Sequence, residues 1–172
     1  MRLYFAYGSN MAATAMARRC PSARLLGPAT LAQHRFAVIR GGHGTVRPQA
    51  RADVHGVLWR IGRTDEAALD RYEEIERGLY RRRMCLVRFR GRPCRALVYV
   101  AAARAPGRPR PAYIAAILAA ARGFGFPVAY VAALSAMART SAGERPARRS
   151  AASVSALSRL ASRRPAASVT SG

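Results

Sequence analysis

The sequence predicts one folded domain that contains both strands and helices, followed by a tail of different composition. The chain has 172 residues, which fits one domain with a sizeable core. Hydrophobic residues make up 51% of it, so a wholly disordered chain is excluded. From residue 140 onward Ser, Ala and Arg dominate and aromatic residues are missing. We therefore expect a folded domain over 1–139 and a disordered Arg/Ala/Ser-rich tail over 140–172.

Strand patterns dominate the first hundred residues. Five segments are rich in apolar, β-branched and aromatic residues and predict strands: 2–7, 24–40 (one or two strands), 54–61, 79–90 and 95–101. A glycine-rich loop is expected at 41–44, and residues 91–93 are expected to join the last two segments as a hairpin. Gly56, inside the third segment, indicates a bulge or a close approach of another backbone.

Helix patterns follow three of the predicted turns. Asn10 is a candidate N-cap for a short helix over about 11–18. Thr64 is a candidate cap for a helix that runs to about residue 73, with acidic residues in its first turn. Pro111 begins a helix with an apolar stripe, and a second helix is expected to end near residue 138.

The net charge of +22 suggests a nucleic-acid partner, but its composition weakens that interpretation. All 30 basic residues are Arg, and the chain is also rich in Ala, Gly and Pro. These residues share GC-rich codons, so genome composition explains much of the excess. We expect no specific nucleic-acid partner, although association through the arginine surface and the tail is kept as an alternative.

Localisation signals and metal-ligand patterns are also missing from the sequence. We find no signal peptide and no apolar run suited to a membrane span. The three cysteines show no paired spacing, which favours free thiols in a reducing cytoplasm. The histidines do not lie at metal-ligand spacings, so no metal is expected.

The scarce acidic residues are concentrated in one window. Seven of the eight lie within 53–76. Helical spacing places Glu73 on the same face as Leu69 and Tyr72, whereas the other acids of this helix are expected to face solvent. A carboxylate in a partly apolar pocket has a raised pKa, which suits a general acid or base. The alternative is that Glu73 only pairs with one of the many arginines.

Two further positions are candidates for ligand binding. The turn at Gly8, Ser9 and Asn10 separates a buried strand from a helix, so its backbone amides can form a site for a small anion. The alternative for this turn is helix capping alone. Tyr113, close after Pro111, can reach a polar ligand with its hydroxyl group, or it can simply belong to the core.

Four landmarks in order resemble the gamma-glutamylcyclotransferase family, which includes the plant AIG2-like proteins. The landmarks are the segments 4–10 (YFAYGSN), 54–61 (VHGVLWRI), 69–73 (LDRYE) leading to 78–82 (GLYRR), and 110–113 (RPAY). The closing segment 123–127 (GFGFP), with Tyr130 and Leu134, also fits the end of the family pattern. The resemblance covers about 1–138.

The resemblance implies an α+β fold, a small mixed β-barrel flanked by helices. It implies that Glu73 is the catalytic residue and that the backbone amides of the turn at 7–10 hold the substrate. The substrate-binding residues implied are Tyr4, Phe5, Ala6, Tyr7, Gly8, Ser9, Asn10 and Tyr113. Glu74 departs from the pattern because the family usually has Gly there, and Glu76 is likewise an unexpected charge. We therefore expect an altered turn after the helix.

The activity implied is the release of 5-oxoproline from a gamma-glutamyl amino acid or amine. In this cofactor-independent reaction, of lyase or acyltransferase type, the α-amine of the substrate attacks its own γ-carbonyl. Alternatives are a gamma-glutamylamine cyclotransferase, removal of a gamma-glutamyl protecting group in a biosynthetic route, and a non-catalytic binding protein. We expect a small-molecule gamma-glutamyl substrate, a cytoplasmic location and a monomer or homodimer.

Overall fold

Five strands form a closed barrel in the structure, a computed structural model that describes residues 1–102 and 105–142. The strands are β1 (Arg2–Ala6), β2 (Arg24–Val38), β3 (Gly44–Ile61), β4 (Tyr80–Phe89) and β5 (Arg92–Ala101). Their order around the barrel is β1-β3-β2-β4-β5. Neighbouring strands are antiparallel except β1 and β5, which pair in parallel through Tyr4 and Leu97 and so close the barrel. The predicted α+β fold with a mixed barrel is confirmed.

Four α-helices and one short 3₁₀ helix accompany the barrel. The α-helices are α1 (Ala13–Arg19), α2 (Arg63–Tyr72), α3 (Pro111–Gly123) and α4 (Val128–Ala142), and the 3₁₀ helix spans Ser9–Met11. The apolar stripe of α3 is buried, as predicted, through Ile114, Ile117, Leu118 and Ala121. Helix α4 continues to Ala142, and the rest of the tail lies outside the described residues. Within the described part of the chain, no helix is long and apolar enough to span a membrane.

The hairpin of β2 and β3 is longer than the sequence pattern indicates. The predicted segment 24–40 contains one strand, which ends at Val38, and β3 begins at Gly44, ten positions before the predicted start. The part of β3 before residue 54 contains Pro48 and exposed polar residues, so its sequence pattern for a strand is weak. Pairing with β2, from Val38 opposite Gly44 to His34 opposite Pro48, supplies the order that local propensity does not.

Both predicted helix caps are wrong. Asn10 is only 3% exposed and lies inside the 3₁₀ helix, and its side chain bonds to other side chains rather than to a helix N-terminus. Helix α2 begins one residue before Thr64, because the carboxylate of Asp65 accepts a hydrogen bond from Gly62 N at 2.9 Å. Asp65 is thus 2% exposed, against the expectation that it faces solvent.

One hairpin and one glycine agree with the predictions, although Arg92 and Pro93, which were expected in the hairpin turn, belong to β5. Strands β4 and β5 form the expected hairpin, with positive φ at Arg90 (50°) and Gly91 (77°) in its two-residue turn. At Gly56 another backbone does approach closely, since a Cβ there would lie 2.3 Å from the carbonyl oxygen of Ala6. This contact holds β1 tightly against β3 just before the turn that begins at Gly8.

Candidate active site

A cavity of about 190 Å³ lies where four connections of the fold meet. The turn after β1, the β2–β3 turn, the end of α2 and the start of α3 all contribute to it. Its lining residues are Tyr7, Gly8, Ser9, Asn10, His43, Gly44, Tyr72, Glu73, Glu74, Leu79, Tyr80, Tyr99 and Tyr113. The structure thus brings the predicted turn, Glu73 and Tyr113 to one site.

The turn after β1 presents backbone to this cavity. Its 3₁₀ helix begins with hydrogen bonds from Met11 N to Gly8 O (3.0 Å) and from Ala12 N to Ser9 O (3.2 Å). The backbone N–H groups before Met11 lie ahead of the first of these bonds, so the 3₁₀ helix itself offers them no acceptor, as at any helix start. A side chain at Gly8 would meet the Tyr113 hydroxyl, only 2.8 Å from an ideal Cβ. Glycine is favoured here because a Cβ would force the Tyr113 hydroxyl to shift.

Glu73 lies directly after the last residue of α2, and its carboxylate is held by Asn10. Asn10 Nδ2 donates to Glu73 Oε1 at 3.2 Å and to the Tyr4 hydroxyl at 3.0 Å. Arg19 donates in turn to Asn10 Oδ1 at 2.7 Å, which fixes the orientation of the amide. In the described part of the chain, no ion pair within 4.0 Å joins Glu73 to an arginine. The alternative of a simple surface ion pair is therefore not what the structure shows.

Burial raises the pKa of Glu73 to about 7. The positive charge of Arg19 and the hydrogen bond from Asn10 act in the opposite direction, because both favour the ionised form. The carboxyl group can therefore give up and take back a proton near neutral pH.

Tyr113 joins α3 to the β2–β3 turn. Its hydroxyl oxygen accepts a hydrogen bond from Gly44 N at 3.0 Å, while the Tyr80 hydroxyl donates to Gly44 O at 2.6 Å. Burial raises the pKa of Tyr113 well above its ordinary value, so the phenol stays protonated. Gly44 must be glycine, because a Cβ would lie 2.6 Å from the Tyr113 hydroxyl and from the Phe36 ring.

Tyr7, directly after β1, and Tyr99 on the neighbouring strand β5 form another part of the wall. The Tyr7 hydroxyl donates to the carbonyl oxygen of Tyr99 at 2.5 Å, and the Tyr99 hydroxyl donates to Asp70 Oδ1 at 2.8 Å. The ring of Tyr99 also packs edge-on against Tyr4. These contacts fix the floor of the site to α2 through Asp70.

Glu74 and His43 complete the ionisable groups of the wall. Glu74 has φ +49°, in the left-handed region that favours glycine, so the turn after α2 has at this glutamate a backbone conformation that glycine adopts at little cost. Its carboxylate pairs with Arg77 at 3.2 Å. Burial and the charge of Arg110 lower the pKa of His43, partly offset by Glu74, so the imidazole is neutral at pH 7.

The predicted site residues divide into two groups. Tyr7, Gly8, Ser9, Asn10, Glu73 and Tyr113 line the cavity. Tyr4, Phe5 and Ala6 lie in the buried core of the barrel instead, and Tyr4 contacts the cavity lining through Asn10 and Tyr99.

Sequence reasoning missed His43, Tyr80, Tyr99 and Arg19. The glycine-rich loop around His43 was a signal that could have been used. The others lie in ordinary strand or helix patterns that give no local signal. In residues 1–102 and 105–142, no three His, Cys, Asp or Glu side chains are grouped as a metal site requires.

Comparisons with known proteins agree on one family. The family model "Gamma-glutamyl cyclotransferase, AIG2-like" matches residues 4–115. A gamma-glutamylcyclotransferase from Bos taurus is 30% identical over 88 residues, which cover 45% of this chain. That match spans 47% of the bovine protein, about half of its length.

Solved structures support the same fold. A gamma-glutamyl cyclotransferase superposes with a TM-score of 0.73 and 25% identity, covering 78% of this chain and 86% of that one. An uncharacterized protein from Homo sapiens gives a TM-score of 0.72 and 27% identity with the same coverage of both chains. YkqA from Bacillus subtilis, at 20% identity, has a TM-score of 0.69 over 81% of this chain and 54% of its own, and shows likeness of fold alone.

Proposed function

Because the chain belongs to the gamma-glutamyl cyclotransferase, AIG2-like family, we propose that it releases 5-oxoproline from a gamma-glutamyl amino acid or amine. One observation carries this proposal. Glu73, a carboxyl group with a pKa of about 7, lines a small cavity beside the amides of the turn after β1. One acid/base group and one anion site are sufficient for a reaction in which the substrate supplies its own nucleophile.

Substrate binding is assigned to the turn after β1. We propose that the amides at Gly8, Ser9 and Asn10 receive the α-carboxylate of the gamma-glutamyl group, since helix starts favour anions. Tyr113 also lines the cavity, and its hydroxyl lies close to Gly8. Binding both ends of the glutamyl group in one small cavity favours ring closure, and such orientation contributes about 7–11 kcal/mol in ideal cases.

Glu73 then moves the proton. The α-ammonium group first loses one proton to water, and the ionised carboxylate of Glu73 takes a second proton from this nitrogen as it attacks the γ-carbonyl carbon. A C–N bond forms within the five-membered ring while the carbonyl oxygen becomes an oxyanion, which nearby N–H donors stabilise. The carboxyl group of Glu73 next gives its proton to the leaving nitrogen as the original amide bond breaks. The products are 5-oxoproline and an amine, and Glu73 is ionised again.

Asn10 is proposed as a positioning residue for Glu73. Its amide donates to the carboxylate and is itself held by Arg19, so it fixes one oxygen and leaves the other for the substrate. The alternative of a non-catalytic binding protein is less well supported, because a half-buried carboxylate without an ion pair weakens the binding of an acidic ligand.

Detection of 5-oxoproline over a panel of gamma-glutamyl compounds tests this function. The panel contains gamma-glutamyl dipeptides, gamma-glutamyl amines and a gamma-glutamyl-protected biosynthetic intermediate. Release from one class, and not from the others, also separates the alternatives for the substrate. No release from any member, by folded protein, would contradict the proposed activity.

A further inference from the structure

We propose that Glu74 makes the site prefer gamma-glutamyl compounds whose leaving amine carries a positive charge at its far end. This inference rests on the function proposed above and adds the class of leaving group. It starts from a residue that departs from the family pattern.

The first observation is the charge of the cavity wall. The chain contains 30 arginines, yet none of the described residues that line the cavity is an arginine. The carboxylates on the wall are those of Glu73 and Glu74. His43, which also lines the cavity, is neutral at pH 7 and does not oppose a cation. A protein with a strongly positive surface thus has a cavity wall whose charges are negative.

The second observation is the backbone at Glu74. Its φ of +49° is costly for any residue with a Cβ and costs little for glycine. Neighbouring contacts hold the residue in this conformation, since Ile75 N and Leu79 N donate to Asp70 O and Glu74 O at 3.1 Å. Residues kept in such conformations are frequent at ligand sites. Gln33, Arg51 and Arg90 also have positive φ, so it is the place of Glu74 on the cavity wall that distinguishes this residue.

The third observation is the place of Glu74 between two concave surfaces. A shallow groove runs over the end of α2 and shares Tyr72 and Glu74 with the cavity. A leaving group that extends away from Glu73 toward this groove passes the carboxylate of Glu74. The groove is also lined by two further carboxylates, Asp70 and Glu76, and by three arginines, Arg71, Arg77 and Arg82. Asp70 already accepts from Arg82 and from the Tyr99 hydroxyl, and of the groove's carboxylates only Glu74 also lines the cavity. Glu74 is the better partner for a cation on the ligand.

The ion pair of Glu74 with Arg77 does not prevent this role. The Arg77 side chain is 81% exposed and the Glu74 side chain 42% exposed. Exposed pairs of this kind contribute little and exchange readily. A ligand ammonium group inside the cavity, with less water around it, can replace the guanidinium group.

A matched series of substrates tests the inference. The probes are the N-γ-glutamyl derivatives of 1,4-diaminobutane, pentylamine and 4-aminobutyrate, which are similar in length and carry a positive, no and a negative terminal charge. kcat/KM for 5-oxoproline release is measured at pH 7 for the wild type, Glu74→Gln and Glu74→Gly. Binding of the same probes is measured by calorimetry with Glu73→Gln and with Glu73→Gln/Glu74→Gln. Glu76→Gln serves as the control, because it removes a charge from the groove but not from the cavity wall.

We expect the wild type to prefer the cationic probe about fivefold over the neutral one, with the anionic probe poorest. In Glu74→Gln and Glu74→Gly, kcat/KM for the cationic and the neutral probe should differ by no more than about twofold. Glu76→Gln should keep most of the preference for the cationic probe. Equal kcat/KM for the three probes, or a preference that survives in Glu74→Gln, overturns the inference but leaves the proposed function intact. Charge-ordered binding that depends on Glu74, without any 5-oxoproline, supports the inference and contradicts the proposed function. If the protein neither binds the probes nor turns them over, the inference and the proposed function are both overturned.

Discussion

Asn10 and Glu73, 63 positions apart in the chain, are joined by a hydrogen bond of 3.2 Å from the amide nitrogen to Oε1. It ties the turn after β1 to the end of α2, so the proposed anion site and the proposed acid/base group keep a fixed distance. The same amide bonds to Tyr4 in the core and to Arg19 on α1. The position of Glu73 is therefore determined by the barrel and not only by its own helix.

Asn10→Ala should raise the pKa of Glu73, because it removes a donor that favours the ionised form. We expect the acid limb of the pH profile of kcat/KM to move to higher pH, and the protein to lose about 1–3 kcal/mol of unfolding free energy. The measurement is 5-oxoproline release between pH 5 and 9. Ser9→Ala, which removes another polar group of the same turn, should leave the limb where it is. A limb that stays in place or moves to lower pH in Asn10→Ala would show that this bond does not set the pKa.

The raised pKa of Glu73 also predicts how stability depends on pH. The folded state holds this proton up to about pH 7, whereas the unfolded state loses it near pH 4.5. Folded protein therefore binds more protons in this interval, and the contribution of Glu73 to the unfolding free energy falls as pH rises from about 4.5 to 7. The full shift of the Glu73 pKa corresponds to a change of about 3 kcal/mol in the free energy of unfolding.

Denaturant unfolding of the wild type and Glu73→Gln at several pH values measures this effect. The variant does not titrate, so it should gain stability relative to the wild type between pH 5 and pH 8. A difference between the two proteins that is constant over this range would mean that Glu73 has an ordinary pKa.

Substitutions at Gly8 and Tyr113 should have coupled effects on the free energy of unfolding. Gly8→Ala places a Cβ 2.8 Å from the Tyr113 hydroxyl, which must shift away, whereas the ring carbon that bears it would be 3.8 Å distant. We expect a loss of about 1–3 kcal/mol in Gly8→Ala and a smaller additional loss when Tyr113→Phe is already present. Tyr113→Phe alone leaves Gly44 N without its acceptor and should cost about 1–3 kcal/mol.

A double-mutant cycle by denaturant unfolding measures this coupling. Gly123→Ala is the matched control, since nothing lies within 4 Å of the added Cβ there. Strict additivity of Gly8→Ala and Tyr113→Phe would argue against the close contact.

Glycine at position 74 should stabilise the turn after α2. Glu74→Gly relieves a left-handed backbone and gives up only an exposed ion pair, so we expect it to be about 1 kcal/mol more stable than Glu74→Ala. At position 76, which does not have a positive φ, the order of Gly and Ala should be reversed. The same order at both positions would remove the argument for strain at Glu74.

The helix face and the strand–turn–helix pattern made Glu73 and the turn at Gly8 candidates, the family resemblance favoured them, and both line the cavity. Spacing places Glu73 on the side of Leu69, and Leu69 is fully buried in the structure. The turn at Gly8 follows from a buried strand that ends in Gly-Ser-Asn. Both are local patterns, and local patterns persist in the fold.

The remaining contacts depend on pairing over long distances in the chain. Asn10 has the chemistry of a helix cap, but burial beside Tyr4 and Glu73 gives its amide better partners than a helix start. Tyr99 lies on a strand far from α2 in sequence, and only closure of the barrel brings it to the site. The predictions for the tail, the cytoplasmic location and the oligomeric state stay predictions.

The most direct test of the account is 5-oxoproline release by Glu73→Gln from the best gamma-glutamyl substrate of the wild type. The substitution keeps the size of the side chain and removes its proton transfer, so we expect a folded protein whose turnover falls by a factor on the order of 10² to 10⁴. Glu74→Gln and Glu76→Gln should keep turnover of neutral substrates near that of the wild type. Wild-type turnover in Glu73→Gln, with loss in Glu74→Gln or Glu76→Gln, would contradict the assignment of Glu73 as the acid/base group.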